Sequence, residues 1–192
     1  MPVFTDMINK GRTSPNDPGL ARSRDWFRAK AQAVTSLNPT RIINGNSTNQ
    51  RAGIQPGMMY LFGYDAKWKD VLPFYDRFPL VFPFSADGDG FTGLNMHYLP
   101  HILRARLMDA LYDLAESKKY TESNKLNLSY RILQSSAKYK YFEPCVKRYL
   151  FSHVRTRFLM IPSNEWDTAL FLPLERFTVN KQKVYNDSLS KV

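Results

Sequence analysis

Apolar and polar positions change their rhythm three times along this chain. Residues 1–19 are polar and are interrupted by Pro2, Gly11, Pro15, Pro18 and Gly19, which break any regular element. Their apolar anchors are Val3, Phe4, Met7 and Ile8. Between 20 and 37, Trp26, Ala29, Ala33 and Leu37 recur at spacings of three and four, one face of a helix, with Arg22, Arg24, Arg28 and Lys30 on the rest of its surface. Residues 38–57 return to a polar connector. The pattern predicts an extended arm over 1–57 with one helix at about 20–37. Such a segment buries too little apolar surface to offset its ordering entropy. Residues 1–55 are therefore expected to order only against partners, through Phe4, Met7, Ile8 and Trp26.

From residue 58 the period becomes two. In MMYLFGY, Met59, Leu61 and Gly63 alternate with Tyr60, Phe62 and Tyr64, which predicts a strand. PFYDRFPLVFPF is also extended, but Pro73, Pro79 and Pro83 lack ladder donors and place it at edges or strand ends. Asp87-Gly88-Asp89-Gly90 predicts a hairpin turn built from left-handed residues, with FTGLNMHYL as the return strand.

Beyond Pro100, which suits a first helical position, the period is helical. Leu103, Leu107, Ala110, Leu111 and Leu114 make one stripe, and Leu126, Tyr130, Leu133 and Ala137 a second. A third helix is expected from near Pro144, with Val146, Tyr149, Leu150 and His153 on its inner face. RFLMI predicts a short strand, and Ser163 caps a short last helix of Trp166, Leu170 and Phe171 that Pro173 closes. The expected fold is α+β: a small antiparallel sheet or partial barrel packed against a helical C-terminal half, with an extended N-terminal arm. A single domain spans 58–177, and 178–192 is a basic polar tail with Lys181, Lys183 and Lys191.

Composition sharpens this picture in two ways. Hydrophobic residues make up 43% of the 192, enough for one core, and 13 Phe, 11 Tyr and 3 Trp give it large rings with polar tips. The net charge of +10 calls for an acidic partner: nucleic acid, an anionic protein surface or an anionic membrane. Cys145 is the only cysteine, so no intrachain disulfide forms, and a buried inert thiol is expected. The first fifteen residues carry no apolar core of a signal peptide, and no stretch approaches a membrane span. The expectation is assembly in a cytoplasm and no membrane partner.

Catalytic and metal motifs are missing from the sequence. His97 and His101 are four apart, but Pro100 separates them, so they cannot share a helix face as zinc ligands. The Asp87 loop has Tyr98 where a calcium loop needs its bidentate Glu. There is no phosphate loop and no nucleophile elbow. Asp109, Asp113 and Glu116 read as a solvated helix face beside Arg106 and Lys119. No metal, cofactor or enzymatic activity is expected. One cluster stands out: Lys138, Tyr139, Lys140, Tyr141, Lys147, Arg148, Arg155 and Arg157, interleaved with Phe142, Tyr149 and Phe151. Cations beside stacking rings suit a single-stranded nucleic-acid groove, and Arg with Tyr equally suits a protein interface. The sequence leaves both open, with Lys147, Arg148 and Arg155 expected to point outward.

The stretch GMMYLFGYDAKWKDVLPFYDRFPLVFPFSADGDGFTGLNMHYLP, with RARLMDALYDL, YKYFEPCVKRYLFSHVRTRFL and PSNEWDTALFLPLERF after it, resembles small virion-structural proteins of contractile-tailed bacteriophages. The likeness covers roughly residues 58–177 and part of the first helix. It implies a virion component of the tail or baseplate that docks or clamps between larger proteins, in several copies or as a homo-oligomer. The alternative is a basic nucleic-acid-binding virion protein with a DNA-end-binding or head-completion role. A third class, a small nuclease, would have to use Asp76, Arg77 or His97, none of which has a partner at a telling spacing.

Overall fold

The computed structural model describes Phe4 and residues 37–100, 103–104, 131 and 140–191. The period-two pattern builds its centre. Strands β1 (Gln50–Arg51), β2 (Met59–Leu61), β3 (Leu80–Ala86), β4 (Gly90–Asn95), β5 (Val146–Leu150) and β6 (Phe158–Ile161) form one antiparallel sheet in the order β1-β6-β2-β3-β4-β5. Because successive side chains alternate, Met59, Leu61, Leu80, Phe82, Leu94, Leu159 and Ile161 enter the main core. Tyr60, Phe62, Val81, Phe91, Tyr149 and Phe158 fill a second cluster. There Phe62 meets Phe91, Tyr149 and Phe158 edge-on at 5.7, 5.3 and 5.1 Å between centroids, the arrangement ring quadrupoles favour. Both faces of the sheet centre are thus buried, and the fold is α+β as the alternation predicts.

Among the described residues three short helices accompany the sheet: α1 (Pro39–Gly45), α2 (Trp166–Phe171) and α3 (Lys181–Ser190). α2 and β6 match the expectations for the last helix and for RFLMI. Ser163 opens a 3-10 turn before α2, whose N-cap position is Glu165. Leu103 and Arg104 are helical and donate their N–H groups to the Pro100 carbonyl at 3.0 and 3.2 Å. The helix at 20–37, the stripes from Leu107 to Leu114 and from Leu126 to Ala137, His101, and the Asp109–Asp113–Glu116 face lie outside the described residues.

Elsewhere the structure departs from the sequence reading. The helix expected from Pro144 is a 3-10 turn (Lys140–Cys145), then β5, then a second 3-10 turn (Phe151–His153). Five residue pairs with β4, from Gly90↔Leu150 to Leu94↔Val146, decide this. The approach is so close that a Cβ on Gly90 would stand 2.1 Å from the Tyr149 carbonyl oxygen, so only glycine fits. The return strand ends at Asn95 and continues as a 3-10 turn, Met96–Tyr98. Pro83 lies inside β3, between two neighbours, rather than at an edge. It is tolerated because pairing with β2 stops at Val81 and the register with β4 shifts between Pro83 and Ser85. The hairpin turn needs no left-handed residue: among the described residues only Gly57 has a positive φ. The Asp87 carboxylate instead accepts the N–H groups of Asp89 and Gly90 at 3.0 and 2.9 Å.

Both segments that read as polar contribute to the core. In 38–57, Asn38 caps α1, Pro39 occupies its first turn, and Ile42 and Ile43 are buried. In 178–192, Asn180 caps α3, which buries Val184, Tyr185 and Ser188. Of the arm, Phe4 is fully buried in the main core and its N–H donates to Glu165 Oε1 at 2.9 Å. Met7, Ile8 and Trp26 lie outside the described residues. Cys145 is a buried free thiol, and burial pushes its pKa up to about 12.

Arg104 is fully buried, and its guanidinium makes four hydrogen bonds to acceptors from three directions. It donates to the Leu99 and His97 carbonyls at 2.7 and 3.1 Å, to the Leu170 carbonyl of α2 at 2.8 Å, and to the Tyr185 hydroxyl of α3 at 2.8 Å. Removing one member of a buried charged network leaves the others unpaired and costs about 3–5 kcal/mol. Arg104→Met is therefore expected to lower unfolding stability by about 3–5 kcal/mol in urea denaturation, with α3 losing amide protection first. A smaller test concerns the hairpin. Arg148 on β5 pairs with the exposed Asp87 at 2.8 Å, and this hydrogen bond holds the carboxyl down to about 2. A depressed carboxyl contributes stability that is present above its ordinary 3.8 and lost as pH falls through about 2. In Arg148→Ala, NMR titration should find the Asp87 carboxyl shifted back towards 3.8.

Candidate nucleic-acid interface

The basic–aromatic stretch is an edge of the sheet, and strand alternation separates its cations. Tyr149 turns into the aromatic cluster and Arg148 to the solvent, so Lys147 lies on the buried side of the strand. Lys147 is half-buried rather than outward-pointing, with its ammonium 4.4 Å from the centroid of the Tyr98 ring. Burial pushes its pKa down. No carboxylate pairs with it among the described residues.

The two arginines differ from it. Arg148 is held by Asp87, and Arg155 reaches Asp65 at 3.2 Å. Arg157 is exposed. Lys138 and Tyr139, and the side chains of Lys140 and Tyr141, lie outside the described residues.

Lys147 opens onto a cleft of about 400 Å³ between β5 and the loop that follows β2. Tyr64, Trp68, Leu72, Phe74, Tyr75 and Tyr98 supply its rings and apolar walls, and Lys67, Lys147 and Arg148 its cations. Trp68 is 62% exposed and Val71 79%. Lys67 sits 5.3 Å from the Trp68 ring. The loop is fastened at its base, where Asp65 accepts from Lys69, Arg155 and the Tyr75 hydroxyl at 3.3, 3.2 and 3.3 Å. The hydrogen bond from Lys69, with Arg155 and Tyr75 adding to it, lowers the Asp65 pKa. Sequence reading passes over Trp68. Its one signal is a tryptophan flanked by Lys67 and Lys69 in a segment with no helical or strand period.

Beneath the cleft lies a buried polar chain. Asp76 Oδ2 stands 2.6 Å from His97 Nδ1 and 3.4 Å from Asn95 Nδ2. Asn95 also donates to the Tyr149 hydroxyl at 2.9 Å. The other Asp76 oxygen accepts the N–H groups of Phe78 and Arg176, both at 3.1 Å. Asp76 and His97 thus have the partnership that their spacing conceals, 21 residues apart in sequence. His97 is fully buried and Asp76 2% exposed, so the pair ties the 75–78 segment to the end of β4. Arg77 is exposed and joins neither. Among the described residues no three His, Cys, Asp or Glu side chains gather as a metal site requires, and no helix is long and apolar enough to cross a membrane.

One comparison adds to this geometry. The family model described as phage T4 terminal DNA protecting protein matches residues 9–191. No curated protein and no solved structure matches the chain. The match supports the resemblance to a bacteriophage protein and lends nothing to a place in the tail or baseplate. It spans most of the arm, the sheet, the cleft and α3, and the chain accordingly belongs to the phage T4 terminal DNA protecting protein family.

Proposed function

We propose that the protein binds the ends of linear double-stranded DNA and shields them, in keeping with what its family's description says of the phage T4 protein. The family match over residues 9–191 carries this reading. The net charge of +10 supports it, because a polyanion gains affinity by releasing counterions to such a surface. Lys147 supports it too, as a cation that no described carboxylate pairs, beside a cleft lined by rings of which Trp68 is exposed. The tail or baseplate clamp is favoured less. Arg148 and Arg155, the natural anchors of a docking rim, are already held by Asp87 and Asp65. Phe4, the natural tip of a reaching arm, is buried in the chain's own core.

The same proposal places the protein in the virion, beside other virion proteins at a DNA terminus, and without turnover of its own. The Asp76–His97 pair could polarise a water only if water reached it, and His97 is fully buried while Asp76 meets the cleft with only 1% of its side chain exposed. The test compares linear duplex with covalently closed circular duplex of the same sequence. Preferential binding to the linear form is expected, together with resistance to an added exonuclease and unchanged cutting by an endonuclease at internal sites. No nucleotide should be released by the protein alone, with or without divalent metal. Equal affinity for linear and closed DNA would refute end binding.

A further inference from the structure

The cleft beside β5 is unlike a surface that only tracks a phosphate backbone. Such a surface presents rows of exposed Lys and Arg to the sides of a duplex, where base faces are hidden in the stack. Here the walls are rings and apolar side chains, with Lys67, Lys147 and Arg148 among them. Trp68, Val71 and Leu72 are 62%, 79% and 43% exposed, apolar surface that the protein's own core does not use. Fixing Asp65 to Lys69, Arg155 and Tyr75 anchors the base of the loop, which lowers the ordering cost at the moment of binding.

We infer that this cleft takes a single unpaired nucleotide at the end of a DNA strand, its base against Trp68 and Leu72 and a phosphate at Lys147. The inference rests on the DNA-end reading and specifies what is recognised there. Three observations lead to it. A volume of about 400 Å³ is near the low end of small-molecule sites, room for one nucleotide but not for a stacked duplex. An exposed indole with a lysine beside it is the pairing that single-strand sites use, and it tolerates any base because every base has a π face. Lys147 is half-buried, carries a charge that burial disfavours, and has no carboxylate partner among the described residues, so a phosphate at the cleft restores what burial removed. An acidic peptide is the poorer fit, because Arg148 and Arg155, which it would seek, already have partners. The selectivity follows: in a continuous duplex an internal base must be extruded at the cost of unstacking and unpairing it, whereas an unpaired terminal base is already free.

The experiment uses the full chain and three duplexes with one common sequence: a covalently closed circle, a blunt linear duplex, and a linear duplex carrying a short single-stranded overhang. Affinity is expected to rise in that order. Trp68→Ala should weaken overhang binding by about tenfold or more and leave the closed duplex unchanged, while Trp68→Phe keeps most of the affinity. Lys147→Gln should reduce the salt slope on the overhang substrate by about one. Trp68 is exposed, so its variants keep the fold; if Lys147→Gln melts early, the two Trp68 variants decide. A wild-type protein that prefers open ends, with Trp68→Ala behaving like wild type, overturns the nucleotide cleft and leaves end binding standing. The nucleotide cleft is likewise overturned if Trp68→Ala weakens closed and open duplexes equally, or if it spares DNA affinity and abolishes attachment to virions. A wild-type protein indifferent to ends overturns both readings.

Discussion

A charged group without water must find its partners in the protein, and in this fold that requirement falls on Arg104. Its guanidinium is fully buried and consumes the carbonyls of His97, Leu99 and Leu170 and the hydroxyl of Tyr185. Those acceptors belong to the turn after β4, to α2 and to α3. Neither helix is long: α2 has six residues and α3 ten, too short to be stable alone. Their positions are set by a donor that tolerates no empty seat. The second polar centre follows the same rule. Asp76 receives His97, Asn95 and the N–H groups of Phe78 and Arg176, and so fixes the 75–78 segment on the sheet. Because His97 belongs to both networks, by its carbonyl to Arg104 and by its ring to Asp76, the two centres brace one another.

The cleft depends on that bracing. Tyr98 and Asp76 line it from below, and β5 and the fastened 65–75 loop form its sides. The charges around it are sorted by what they already hold. Asp87 and Asp65 partly neutralise Arg148 and Arg155, while Lys147, turned inward by strand alternation, has no described carboxylate to compensate it. A count of basic residues cannot make this distinction. Exposed ion pairs such as these are weak, so Arg148 and Arg155 are only partly neutralised, whereas Lys147 has no such pair among the described residues.

Parts of the fold and of the site are legible in the sequence. MMYLFGY and RFLMI announce β2 and β6, because buried strands must alternate ring and aliphatic positions onto two faces. The DGDG pattern places the turn correctly but for the wrong reason, since an aspartate side chain rather than left-handed glycine closes it. α1 and α3 escape notice although Asn38-Pro39 and Asn180 carry cap signals, because the helices hold few apolar residues. β5 reads as a helix because Val146, Tyr149, Leu150 and His153 also satisfy a helical spacing. In the site, the basic–aromatic cluster is visible as composition, and Trp68 and the Asp76–His97 pair are not.

By itself the sequence determined the class of the fold, the alternating strands at its centre, a strongly basic balance rich in rings, and a likeness to bacteriophage proteins. These are properties of local order and of composition, which neighbours in the chain express without long-range help. Tertiary structure alone decided that 146–150 is a strand, since β4 supplies the hydrogen bonds that a helix would have satisfied internally. It alone decided which cations are spent, because Asp87 lies 61 residues from Arg148 and Asp65 lies 90 from Arg155. Partnerships over such distances leave no period to read; they exist only once the chain has closed on itself and brought the two groups within reach.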